Sequence, residues 1–136
     1  MIHERVQPAG WARPRGYSNG VIAQGRVLAL GGQIGWNAEQ VFETDSFLGQ
    51  FDQALANVRA ILDAAGAGPE HLIQMTIYVT DLDAYRAGLA DLGAIWKRHL
   101  GRNYPAMALV GVAGLVEPRA LVEIESLAVL PEEPNA

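Results

Sequence analysis

Two carboxylates stand two residues apart in Val122-Glu123-Ile124-Glu125. The period of a β-strand puts both on one face. Like charges held together in a cleft repel, and the repulsion raises the pKa of at least one of them toward a useful range. A carboxylate with a water in reach can act as a general base. The plainer reading of Glu125 is a solvated or ion-paired strand residue. A second feature is Gly31-Gly32-Gln33. Paired glycines let a backbone approach a ligand closely, or they permit a bulge or tight packing; the second is favoured slightly.

Other chemistries have little to stand on. His3, His71 and His99 fall in different segments, and the chain has no cysteine. Metal-ligand spacing is therefore missing, and disulfides and thiol catalysis are excluded. His99 reads better as a charge at a helix C-terminus. Ser18, Ser46 and Ser126 lack the turn that exposes a nucleophile. The glycines at 31, 32 and 35 follow a strand but lead into no helix and no Lys-Ser/Thr, so they form no phosphate loop.

The 136 residues are enough for one domain, taken as 1–130 with a flexible tail over 131–136. Half the residues are hydrophobic and 18% are charged, the balance of a packed globular protein. The net charge of −5 and the lack of any Lys/Arg run argue against nucleic acid as a partner. No signal-peptide pattern opens the chain. No apolar run reaches the roughly 20 residues of a membrane helix. A cytoplasmic protein with no membrane partner is the expectation.

The elements that must position these residues follow from periodicity. Residues 13–20 are rich in turn formers. Val21–Ala23 and Val27–Leu30 flank Gln24-Gly25 and read as a hairpin. Phe47, Phe51, Leu55, Val58 and Leu62 form one helical stripe, capped by Asp45 or Ser46 and ended by Gly66. Leu72–Thr80 alternates, with Ile73, Met75, Ile77 and Val79 toward the core. Asp83 caps a second helix whose stripe is Tyr85, Leu89, Leu92 and Trp96, and Gly101 ends it. Strands over Ala106–Val112 and Leu121–Val129 close the chain.

The fold class is therefore α+β, in the order ββ-α-β-α-ββ, with one mixed sheet and two helices on one face. No third helix is left to cover the opposite face, which carries Thr76 and Tyr78. Such a face is most simply buried against other copies of the chain, which implies a closed oligomer.

Six segments, in order and at matching spacing, are similar to the RidA-like (YjgF/YER057c/UK114) family. They are Gly16-Tyr17-Ser18-Asn19-Gly20-Val21, Gly32-Gln33-Ile34, the run from Gln53 to Gly66, Thr76-x-Tyr78-Val79-x-Asp81, Tyr104-Pro105-Ala106, and Val122 to Val129. The resemblance implies a chorismate-mutase-like subunit and a homotrimer with small-molecule clefts between subunits. It implies hydrolysis of reactive imines and enamines to a carbonyl compound and ammonia, with no cofactor and no metal. It assigns Glu123 as the base and Tyr17 as a catalytic hydroxyl or cleft wall. Gly31, Gly32, Gln33, Trp36, Leu89, Ala106 and Met107 become the substrate-binding set.

Three positions depart from the family pattern. Met107 stands where the deaminase branch has a carboxylate-binding arginine, Leu89 where an asparagine is common, and Gly31 where a serine is usual. Each change makes the cleft less polar. Methionine offers none of the bidentate recognition of a guanidinium. One reading is a deaminase for a larger or less polar substrate, with Arg13, Arg15 or Arg102 supplying a carboxylate contact from a loop. The alternative is an inactive small-molecule-binding or regulatory module. A ribonuclease or translation inhibitor ranks third.

Overall fold

The computed structural model describes residues 2–133; residues 134–136 of the expected tail lie outside them. Two strands open the chain, β1 (Glu4–Val6) and β2 (Gly20–Ile22), followed by β3 (Arg26–Ile34) and α1 (Phe47–Ala64). A 3-10 turn (Pro69–His71) leads into β4 (Leu72–Val79). Two helices, α2 (Leu82–Ala87) and α3 (Leu89–Leu100), precede β5 (Ala106–Gly111) and β6 (Val122–Leu130). The main sheet has the order β3-β6-β4-β5. Its first two junctions are antiparallel, and β4 and β5 run parallel. This is the expected α+β architecture, with α1 and α3 on one face of a mixed sheet.

The core explains why the elements form. Phe51, Leu55, Val58 and Leu62 of α1 meet Leu92, Trp96 and Leu100 of α3 over Met75, Ile77, Val79, Val122 and Ile124 of the sheet, all in one buried cluster. Ser46 caps α1 by accepting from the Gly49 N–H at 3.1 Å, and Gly66 leaves the helix at φ +73°, as a C-terminal glycine does.

Four expectations are corrected. Residues 21–30 are not a hairpin: β2 pairs with β1, and β3 pairs with β6. Gly25, at φ +147°, lies so tightly against Leu130 that a β-carbon would meet its carbonyl oxygen at 2.0 Å. The chain therefore passes from one sheet to the other at that point. The cap of the second helical region is Asp81, which accepts from the N–H groups of Asp83 and Ala84. That region breaks at Gly88, and Leu89 starts α3 with 55% exposure, outside the apolar stripe. On β4 the register slips between Leu72 and Gln74, so buried Leu72 takes the place expected of Ile73, which is only half-buried. In the described part of the tail, Arg26 pairs with Glu133 at 3.1 Å and donates to the Pro131 carbonyl.

Candidate functional site

Glu123 lies in the middle of the sheet, in register with Ile34 on β3 and Tyr78 on β4. Its face is the one away from the helices, because its neighbours Val122 and Ile124 point into the core. The β3 register shifts between Leu30 and Gln33, so Gly31-Gly32 forms a bulge there. Gly32 rests directly on Glu123: a β-carbon would meet the carboxylate carbon at 2.9 Å and one oxygen at 3.1 Å. Any side chain at 32 would displace the carboxylate. Of the two readings of the glycine pair, the bulge with tight packing is what the structure shows, and it seats a carboxylate.

The two carboxylates differ in their surroundings. Tyr78 Oη donates to Glu125 Oε1 at 2.5 Å. This bond, with some desolvation and the negative charges of Glu125 and Glu123, raises the Tyr78 pKa above 10.0. Glu123 is half-buried, and no side chain among the described residues donates to it. Beside it on the same face is a depression of about 290 Å³ lined by Ala29, Gln74, Thr76, Glu125 and Leu127.

Tyr17 is placed elsewhere. Ser18 forms a parallel bridge with Ala106, its N–H donates to the Pro105 carbonyl at 3.0 Å, and its hydroxyl donates to the Tyr104 carbonyl at 2.6 Å. The Tyr17 loop therefore runs outside β5, at the far edge of the sheet from β3. Between it and Glu123 lie β4 and β5, so at the usual strand spacing their backbones are about 14 Å apart. One subunit does not bring Glu123 and Tyr17 onto one small molecule.

The remaining residues are dispersed. Met107 pairs with Met75 on β4 and packs against the main core, so it faces the helices, on the opposite side of the sheet from Glu123. Trp36 packs on Phe42, with ring centroids 5.7 Å apart, in a small cluster with Ile34, Ala120 and Leu115. The Gln33 side chain donates back to the Gly31 carbonyl at 3.2 Å. Leu89 is exposed on α3, and Ala106 joins the Tyr17 loop to β5.

Sequence reading missed three things. Gln50 is fully buried and bonds across elements, donating to the carbonyls of Thr44 and Arg119 and accepting from the Leu121 N–H; a glutamine in a helix gives no signal of this. His99 does more than sit at a helix end, because its Nε2 lies 2.5 Å from Asp52 Oδ1 and links α3 to α1. Arg98 holds the other Asp52 oxygen at 2.5 Å. Finally, residues 7–19 fold into a compact loop whose neck is closed by the Val6–Gly20 pairing. Within it Asn19 donates to the Gln7 side chain, which in turn donates to the Ala12 carbonyl. Against this loop lies an open cleft of about 1110 Å³ that gathers Arg5, Arg13, Arg15 and Arg102 around Trp11, Tyr17 and Tyr104. A chain without any Lys/Arg run nevertheless builds a basic patch.

The family model for endoribonuclease L-PSP matches residues 11–130. A RutC family protein from Aquifex aeolicus is 36% identical over 115 residues, spanning 83% of this chain and 87% of that protein. The 2-iminobutanoate/2-iminopropanoate deaminase of Dermatophagoides farinae is 29% identical over 119 residues, 87% of this chain and 89% of that one. Among solved structures, a protein of unknown function from the conserved Rid family of Yersinia pestis aligns with a TM-score of 0.84 at 32% identity, covering 96% of this chain and all 100% of its own. The YjgF gene product of E. coli aligns at 0.68, with 32% identity over 83% of this chain and 87% of that one.

Proposed function

We propose, for a chain that belongs to the endoribonuclease L-PSP family alongside the RutC, YjgF and UK114 proteins, that it hydrolyses imines or enamines whose body is larger or less polar than a small 2-imino acid. The observation that carries this reading is the Glu123 carboxylate, held against Gly32 in the β3 bulge with no donor side chain of its own. One relative is named as an imine deaminase.

The chemistry asks little of the protein. Glu123 takes a proton from water as the oxygen attacks the C=N carbon, giving a carbinolamine. That proton is returned to nitrogen, Glu123 then carries the carbinolamine hydroxyl proton to the amine, and the C–N bond breaks as the C=O forms, releasing ammonia and a carbonyl compound. The products account for one imine and one water. Glu125, engaged by Tyr78, is less free to act.

A complete site on this reading needs a second copy of the chain. Glu123 and Met107 lie on opposite faces of one sheet, and Tyr17 lies beyond its edge. The face around Glu123, Thr76 and Tyr78 would meet the edge or loop of a neighbour in a homotrimer. Met107, packed against the helix-side core, offers no guanidinium to a substrate carboxylate, which disfavours small 2-imino acids.

The test is a coupled assay in which an amino-acid oxidase generates 2-imino acids and loss of semicarbazone formation reports their hydrolysis. Imines of bulky apolar amino acids should be hydrolysed faster than small aliphatic ones. Glu123→Gln should lower turnover by about 10²-fold or more, with oligomeric mass unchanged. Equal turnover in the variant sinks Glu123 as the base. Strong activity on small 2-imino acids sinks the substrate argument from Met107.

A further inference from the structure

Two carboxamides of α1 bracket the contact between Gly32 and Glu123. Gln50 accepts from the Leu121 N–H at 2.8 Å, just ahead of β6 and two residues before Glu123. Two helical turns further on, and so on the same side of α1, stands Asn57. Its Nδ2 donates to the carbonyls of Ile34 at 3.0 Å and Trp36 at 2.8 Å, where β3 ends. One helix thus holds the start of the strand that carries the carboxylate and the end of the strand that seats it.

The Asn57 amide is held in one orientation. Its Oδ1 accepts from Gln53 Nε2 at 2.9 Å, one turn earlier on the helix, which leaves both N–H bonds of Nδ2 for the two carbonyls. Asparagine is a poor residue for the interior of an 18-residue helix, because its side chain competes for backbone hydrogen bonds. A residue that breaks a local rule is expected where something else is gained. Part of the gain is plain, since backbone carbonyls at a strand end need a donor. That alone would make Asn57 a structural bond and nothing more.

The bulge asks for more. A β-carbon on Gly31 would meet nothing within 4 Å, so no packing braces the bulge at that residue. Beyond it only Gln33 and Ile34 pair with β6. Register is weakly specified in glycine-rich strands, and two residues of ladder are a short anchor. The Asn57 bonds fall on the last of those residues, Ile34, which is the partner of Glu123 across the sheet, and on Trp36 just after it. We infer that Asn57 is a positioning residue for Glu123. By fixing the end of β3 it fixes the bulge, and with it the place of the Glu123 carboxylate on Gly32. The catalytic consequence rests on Glu123 being the base; the geometric one does not.

The test reads two quantities on the full chain: the carboxyl carbon-13 NMR signal of Glu123, assigned by its loss in Glu123→Gln, and the kinetics of imine hydrolysis. Asn57→Ala should move the Glu123 signal and leave that of Glu4, on β1, in place. Its kcat should fall by about tenfold or more, as a misplaced catalytic group does, with KM little changed. Val58→Ala, which hollows the core one residue further along α1, is the control for mere destabilisation. It should lower the melting temperature and leave the Glu123 signal and kcat as they were. If Asn57→Ala does not fold, Asn57→Ser, which keeps a hydroxyl donor, is read in the same way. A Glu123 signal that stays in place in the folded variant overturns the inference and leaves Asn57 as a bond to two carbonyls. An equal displacement in Val58→Ala overturns it as well, because any loosening of α1 would then suffice. If the unaltered chain hydrolyses no imine, the deaminase reading fails, and the carboxyl signal alone decides the positioning.

Discussion

A β-carbon on Gly32 would stand 2.9 Å from the carboxylate carbon of Glu123. The bulge on β3 and the charge on β6 are thus one feature, a backbone seat for a carboxylate. Gly32→Ala should push the Glu123 side chain aside. The neighbour that must yield is a flexible side chain, and alanine suits a strand better than glycine by about 0.5–1 kcal/mol. Stability should therefore change little. Misplacing a catalytic group by about 1 Å can cost on the order of 10²-fold in rate, so imine hydrolysis should fall at least tenfold. Thermal melts and the coupled assay, run together, check both halves.

Gln50 is a structural clamp. Replacing it with alanine leaves the Leu121 N–H and the carbonyls of Thr44 and Arg119 without their partner. Each unmade buried bond costs about 1–3 kcal/mol, so Gln50→Ala should lose roughly 3 kcal/mol or more in a urea titration. Gln50→Leu restores the volume and should not restore the stability. If it does, packing rather than hydrogen bonding held the loop.

Asp52 gives the fold a dependence on acid. Burial alone would raise its pKa, but hydrogen bonds from His99 and Arg98, with their charges, outweigh this and hold it below 3.8. A carboxylate with a lowered folded pKa stabilises the protein above its unfolded value and loses that contribution as pH falls through the folded one. Asp52→Asn should therefore melt below the unaltered chain at neutral pH, and the gap should close as pH drops below 3.8. The side chain is 40% exposed, so the effect should be modest and reduced by salt. A gap independent of pH would assign the role to packing.

Tyr78 should ionise late. Its hydroxyl donates to Glu125, and its pKa is raised above 10.0. Among the four tyrosines, one should resist ionisation in an alkaline titration followed by tyrosinate absorbance, and Glu125→Gln should bring it down. The stability this bond confers should be complete below 10.0 and lost as pH rises through the folded value. Tyr78→Phe removes the late-titrating group; if the late titration survives, it belongs to another tyrosine.

Much of the fold was legible because burial imposes a local period on the chain. The stripe from Phe47 to Leu62, the alternation through Met75, Ile77 and Val79, and the two carboxylates on one face of β6 all needed only neighbours within a few residues. Misreadings arose where partners are distant. Val21 and Val27 look like two arms of a hairpin, yet β2 and β3 pair with β1 and β6. Asp83 has the chemistry of a cap, but β4 ends early enough for Asp81 to take that place.

The sequence by itself determined most of the helical and strand segments, though not β1 or the break at Gly88, together with the α+β class, the family pattern and a methionine at 107, since each is written in short-range spacing or residue identity. Only the tertiary structure decided which residues meet. It set Gly32 under Glu123, turned Met107 to the other face of the sheet, and drew Arg5, Arg13, Arg15 and Arg102 from opposite ends of the chain into one cleft. The reason is physical. Strand register and loop closure are settled by contacts between segments far apart in sequence, and no local period records them.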